Sequence, residues 1–300
     1  MNEPLKFKLF SVYGKLLHKD VLTEAFRKVK KNKGCAGIDK VSIERFEENL
    51  DENIELILNE LRTKTYKPSP VRRKYIPKKN GKLRPLGIPT IKDRVVQQAL
   101  VTKLEPFFEE NVFHDNSCGF RPNRDVKLAI KKIVSRLESG YLYIYDFDIK
   151  GYFDNIPHKK LMKVLNKYVS DGTVLDMIWK TLKAGYMEDE IRYETASGTQ
   201  QGGVISPLLA NIYLNELDWE LAKANLEFVR YADYTEVETM PKLSLKHRRY
   251  QGFLLIISAY FFYYKRYRRS RVSGSSQHFT PLSGLTVSIA FARTSNVAKA

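Results

Sequence analysis

The sequence predicts an α+β fold, and three observations carry that expectation. Tyr141, Tyr143, Tyr145, Phe147 and Ile149 alternate with Leu142, Ile144, Asp146 and Asp148, the period-two pattern of a strand. Ile43, Phe46, Leu50, Ile54, Ile57 and Leu61 recur instead at a near-helical period. Between these stretches, Val71 to Pro85 reads as a hairpin whose arms flank the turn dipeptide Asn80-Gly81.

Taken in order, Val21 to Lys30 and Ile43 to Arg62 read as helices joined by the loop KNKGCAGIDKVS. Thr90 is the expected cap of the next helix, with Asp93 at its third position and Val95, Val96, Ala99, Leu100 and Leu104 on its apolar face. After the strand at Tyr141 to Ile149, helices are expected over His158 to Tyr168 and Leu175 to Tyr186, then a short strand over Ile191 to Thr195. Ser206-Pro207 opens a helix running to about Leu221, and Leu226 to Tyr231 is a strand ending in a tight turn at Ala232-Asp233. The boundaries fall at 1–70 (helical extension), 71–140 (basic hairpin and helices), 141–234 (strands with paired carboxylates) and 235–300 (basic tail).

Composition narrows the function classes. With 300 residues, 43% hydrophobic and 12% aromatic, the chain is globular rather than disordered. Its longest apolar run, GFLLIISAYFFYY, is 13 residues, short of the ~18–20 a membrane span needs, so stable membrane association is not expected. The first residues, MNEPLKFKLFSVYGKLLHKD, lack the pattern of a secretory signal. Two cysteines, Cys35 and Cys118, are too few for a disulfide scaffold and too far apart for a metal knuckle, which suits a reducing, cytoplasmic setting. The net charge of +17 suggests a polyanionic partner. That charge is uneven: residues 235–300 hold eleven basic and two acidic residues, +9, which leaves +8 for the other 234.

Asp148, at a strand end, and Asp233, in the turn of a second strand, are the residue types that hold a pair of Mg²⁺ ions around a reacting phosphate, because Mg²⁺ prefers hard oxygen ligands. Singly, each is better explained in plain structural terms, Asp148 as a strand-end surface acid and Asp233 as a turn former. Their neighbours decide. FDIKGYFDNIPH, QGGVISPLLANIYLNELD and FVRYAD, in that order, resemble three successive motifs of reverse transcriptases. RKYIPKKNGKLRPLGIPTIKDRVVQQAL and NSCGFRPNRDV resemble the finger motifs, and GCAGIDK the extra N-terminal motif, of the group II intron reverse transcriptase/maturase family. The resemblance runs from about Lys31 to Asp233.

The resemblance implies right-hand polymerase fingers and an RRM-like palm, with a thumb not recognisable in the sequence. It implies RNA-directed DNA synthesis from dNTPs on a DNA or RNA primer, with intron RNA as template and binding partner, a role in splicing, and two Mg²⁺ ions. A homodimer is a further assembly it allows. Asp148 and Asp233 match the catalytic metal ligands, with the Ile149 carbonyl as a further oxygen. Phe153 matches the aromatic residue beneath the incoming sugar, which screens out a 2′-hydroxyl. Gln201, Gly202 and Gly203 match the loop that approaches template and nucleotide, and Lys78 and Arg84 the finger residues on the triphosphate. Arg121 is expected either to contact nucleic acid or to brace the fingers.

One position departs from the family. Its turn reads Tyr-Ala-Asp-Asp, and here it is Tyr231-Ala232-Asp233-Tyr234. A neutral phenol replaces a carboxylate, and the resemblance stops there. The expectation is an impaired polymerase whose residues from 234 onward are read out of frame. The competing reading of that tail is a genuine RNA-binding segment, in which the Arg and Tyr of YYKRYRRSR stack on bases and pair with phosphates. For the whole chain the alternative is a non-catalytic intron RNA-binding remnant.

Overall fold

The computed structural model describes residues 7–77, 81, 83–139, 143–149, 151–239 and 285–291, with backbone alone at 143–148, 234–239 and 285–291. Lys78 and the Arg/Tyr-rich run at 263–271 lie outside the described residues. The chain divides into two compact units: Met1–Phe113 with Gly151–Asn215, and His114–Lys150 with Glu216–Ala300.

The first unit is built on helices. In α1 (Lys19–Lys31), Leu22, Ala25, Phe26 and Val29 form one buried stripe, and Phe26 stacks on Phe46 at 5.3 Å between centroids. The single helix expected over Ile43 to Arg62 is two, α2 (Ile43–Glu48) and α3 (Leu50–Arg62). Asn49 leaves helical geometry (φ −120°, ψ 41°), and Asn53 Nδ2 donates to the Phe46 carbonyl freed at the break (2.9 Å). The apolar period survives because α3 still buries Ile54, Ile57, Leu58 and Leu61.

The hairpin follows as β1 (Val71–Pro77) and β2 (Leu83–Ile88), antiparallel from Arg72↔Ile88 to Pro77↔Leu83. α4 (Ile91–Asn111) is buried on most sides, so it forms the centre of this unit. Thr90 caps it as expected, accepting from Asp93 N (3.1 Å) and donating to Asp93 Oδ2 (2.7 Å). The Asp93 carboxylate, 1% exposed, also receives Tyr66 OH (2.7 Å) and Ser69 N (3.1 Å). Burial raises its pKa even so, and it pushes the Tyr66 phenol well above 10.

The second unit opens with β3 (Ser117–Cys118), α5 (Val126–Glu138) and β4 (Tyr143–Ile149). Its sheet is completed by β7 (Glu227–Tyr231), β8 (Tyr234–Thr239) and β9 (Leu285–Phe291) in the order β3-β7-β8-β4-β9. β4 runs antiparallel to both β8 and β9, and β3 is parallel to β7. Ala129 of α5 packs on Cys118 and Val229, with Leu128 and Ile133 alongside.

The intervening segment begins in the first unit with α6 (Tyr152–Asn155), α7 (His158–Tyr168) and α8 (Gly172–Lys183). Asp171 caps α8 through Val174 N and also accepts from Val12 N (2.8 Å) and Tyr13 N (2.7 Å), which fastens the N-terminal segment. The expected helix over Leu175 to Tyr186 ends earlier, at Lys183, and Tyr186 begins a strand. Gly185 takes φ +77°, and a Cβ there would sit 2.2 Å from the Tyr193 carbonyl oxygen, so the chain turns out of the helix at a position only glycine fills. β5 (Tyr186–Glu188) and β6 (Ile191–Tyr193) form a hairpin turned at Asp189 and Glu190, both at positive φ. β5 pairs parallel with β1, giving a sheet of order β2-β1-β5-β6. α9 (Ser206–Lys223) then leads into β7.

Candidate active site

In the second unit, the hairpin between β7 and β8 turns at Ala232-Asp233, as expected from the sequence. Tyr231 pairs with Tyr234 across that turn, and Tyr234 pairs in turn with Asp148 on β4. The ladder therefore brings Asp148 and its neighbour Ile149 opposite the start of β8, one residue from Asp233. Asp148 and Ile149 on β4 and Asp233 in the β7–β8 turn carry oxygen donors, the type a hard divalent cation prefers. The ladder partner of Asp148 is Tyr234, a phenol-bearing position that adds no anion.

The turn is held from behind. Arg230, fully buried, donates through Nη1 to the Ala232 carbonyl (2.7 Å) and through Nε and Nη2 to both oxygens of Asp218 (2.7 and 2.6 Å). Its Nη2 also donates to Ser117 Oγ (2.5 Å). Ala232 adopts a left-handed φ of +58°, and its N–H donates to the Cys118 carbonyl (3.0 Å). Arg121 braces its own loop, donating to the carbonyls of His114 (2.8 Å) and Ser117 (2.7 Å) from a 7%-exposed position.

In the first unit, the loop Gln201-Gly202-Gly203 is seated on the hairpin. The Gln201 carbonyl accepts from Gly87 N (2.7 Å). Gly202 takes φ +109°, and a Cβ there would lie 2.6 Å from the Gly87 carbonyl oxygen. Gln201 Nε2 reaches both oxygens of Asp154 (2.8 Å each). Phe153, half-buried, sits edge-on to Tyr152 at 5.7 Å, and its carbonyl accepts from Thr199 N (2.7 Å). A cavity of about 290 Å³ opens beside the loop, lined by Arg73, Gly87, Asp154, Tyr186 and Gln201 among others. The Arg73 guanidinium lies 3.7 Å over the Tyr186 ring. Arg84 is exposed on β2, paired in register with Ile76 of β1.

Phe153 and the 201–203 loop thus share the first unit with Arg84, while Asp148, Ile149 and Asp233 share the second. Sequence reasoning missed Asp154 and the Arg230–Asp218 pair. The signal for the pair was present: an arginine among Phe228, Val229 and Tyr231 in an apolar strand needs a buried carboxylate partner.

Among the described residues, no helix is long and apolar enough to cross a membrane. Residues 76–237 match the family model for reverse transcriptase (RNA-dependent DNA polymerase). The group II intron-encoded protein LtrA of Lactococcus lactis subsp. cremoris is 44% identical over 222 residues, which cover 73% of this chain and 36% of that protein. Protein YkfC of Escherichia coli (strain K12) is 41% identical over 203 residues, 66% of this chain and 53% of that one. An uncharacterized 91 kDa protein in cob intron from Schizosaccharomyces pombe is 35% identical over 216 residues, 71% of this chain and 26% of its own length. The chain spans about half, or less, of these relatives. A family match across more than half of its residues makes this chain a member of the reverse transcriptase (RNA-dependent DNA polymerase) family.

Proposed function

We propose that this chain derives from an RNA-directed DNA polymerase that extends a DNA or RNA primer with dNTPs on intron RNA, and that its polymerase is impaired as written. The observation that carries the reading is the ladder pairing of Asp148 with Tyr234, next to Asp233. Family membership supports a divalent cation as the cofactor, and Asp148, Asp233 and the Ile149 carbonyl are the residues that would hold two Mg²⁺ ions. Bound Mg²⁺ supplies charge neutralisation at the triphosphate and acidifies the primer 3′-hydroxyl. Arg84, with Lys78, grips the triphosphate. Phe153 packs under the sugar, its backbone tied to Thr199. Gln201, clamped to Asp154 and Gly87, presents its loop's backbone to template and nucleotide.

Impairment follows from Tyr234. A phenol stays protonated at neutral pH and offers no anionic oxygen. Primer extension on purified protein tests both parts. The unaltered chain should give little or no Mg²⁺-dependent cDNA, Tyr234→Asp should raise synthesis at least tenfold, and Asp148→Ala should abolish it. Robust synthesis by the unaltered chain would overturn the impairment. Tyr234 also favours a second reading, an intron RNA-binding remnant. RNA binding that persists while Tyr234→Asp stays inactive would select it.

A further inference from the structure

A buried ion pair is by itself a poor way to stabilise a fold, because desolvation cancels most of the attraction and an apolar pair of similar size serves as well. Arg230, on β7, and Asp218, in the part of α9 that belongs to the second unit, are nevertheless both 0% exposed. What an apolar pair could not do is use the remaining edge of the guanidinium. Nε and Nη2 are occupied by the two Asp218 oxygens, which fix the plane of the group. Nη2 is further tied to Ser117 Oγ on β3, and Nη1 is left aimed at the Ala232 carbonyl.

Ala232 is a residue whose conformation needs such a hold. Its left-handed φ of +58° is sparsely populated for a residue with a Cβ and persists where surrounding bonds over-determine it. Here they do, since its N–H is bound by Cys118 and its C=O by Arg230. The next residue is Asp233. A ligating carboxylate has to be held to within about 0.5 Å, and the peptide unit anchored by Arg230 is the one that joins Ala232 to Asp233.

We propose that Arg230 is the positioning residue of the catalytic turn: locked by Asp218, it holds the Ala232 carbonyl and so sets where Asp233 presents its carboxylate. This rests on the reading of Asp233 as a metal ligand. A lysine keeps the charge against Asp218 but, as a single ammonium on a flexible stem, cannot fork onto the carboxylate and reach the turn at once.

The test uses the full chain, with Mn²⁺ binding followed by the electron paramagnetic resonance of the free ion and amide exchange followed at Ala232. Arg230→Lys should weaken Mn²⁺ binding about tenfold or more and speed Ala232 exchange at least tenfold relative to Val229. A second variant, Arg230→Met with Asp218→Leu, replaces the pair by apolar groups and should keep a urea midpoint near that of the unaltered protein. It should still lose Mn²⁺ affinity and Ala232 protection, which a purely structural pair would not require. Unaltered Mn²⁺ affinity and unaltered exchange in either variant would overturn the proposal. Asp233→Ala separates the two ideas: if it binds Mn²⁺ like the unaltered chain, the metal reading of the turn fails, and Ala232 exchange alone decides the role of Arg230.

Discussion

Replacing Gly202 by alanine should destabilise the protein through one identifiable contact. The residue sits at φ +109°, outside the regions an L-residue reaches cheaply, and its new Cβ would meet the Gly87 carbonyl oxygen at 2.6 Å and Leu86 Cδ1 at 3.0 Å. Backbone strain of this kind costs about 1–3 kcal/mol, and forcing a methyl into occupied space costs about the same again. Retreat is blocked, because the neighbouring Gln201 carbonyl is bound to Gly87 N at 2.7 Å. The expected loss is about 2–6 kcal/mol, a fall in Tm of about 4–24 °C for a chain of this size class. Gly172→Ala is the control: nothing lies within 4 Å of its Cβ position and it opens α8, so it should be neutral or stabilising by up to about 1 kcal/mol. Urea denaturation of both variants, with amide exchange at Gly87 as a local readout, decides the matter. A Gly202→Ala protein within about 0.5 kcal/mol of the control, with Gly87 still protected, would refute the seating of the loop on the hairpin.

Two further outcomes are expected. Tyr66→Phe removes the hydroxyl that donates to Asp93 Oδ1 at 2.7 Å in a buried site, and should cost about 1.5–3 kcal/mol by denaturation; no change would mean that Ser69 and Thr90 suffice for that carboxylate. The His158 and His114 pKa values both lie below 6.5, burial being the main cause in each. His158 donates from Nε2 to the Gly198 carbonyl (2.7 Å), while its buried Nδ1 has no partner for a second proton. The unfolded chain therefore takes up protons at these rings before the folded one does. Their contribution is complete above about pH 6.5 and is lost as pH falls below it. Urea midpoints should change little between pH 7.5 and 6.5 and fall from pH 6.5 to 5.5, less steeply in His158→Gln, and a flat or rising series toward pH 5.5 would contradict the assignment.

What could be read before any coordinates was what local chemistry dictates. Alternation toward Ile149 identified β4 over Tyr143–Ile149, and Thr90 with Asp93 the start of α4, while Asn80 of the expected hairpin turn and Tyr141 and Leu142 of the expected strand lie outside the described residues. The errors lie where a single residue outweighs a pattern. Asn49 breaks a run whose apolar period continues straight through it, and Gly185 ends a helix that composition alone would extend to Tyr186. For the proposed site, motif order is what points to Asp233 and the Gln201 loop, because their residue types are scarce in those arrangements. Asp154 escaped because it takes its meaning from a partner distant in sequence, whereas Arg230 and Asp218 lie only 12 positions apart and it is the tie to Ser117 that is remote. Gln201 lies 47 positions beyond Asp154, and Ser117 lies 113 before Arg230.

The parallel pairing of β1 with β5 sets a timetable for synthesis. Arg72 is partnered with Met187, about 115 positions later, so on a ribosome adding about 5–20 residues per second the hairpin waits on the order of ten seconds for its other neighbour. Throughout that interval one edge of β1 is open to any passing strand. Arg72, Arg73 and Lys74 lie along it, and consecutive cations are what discourages edge-to-edge association. Part of the hairpin's positive charge thus acts as a gatekeeper for the nascent chain, a duty that passes to β5 at Val71 and Arg72 once Tyr186 and Met187 have emerged.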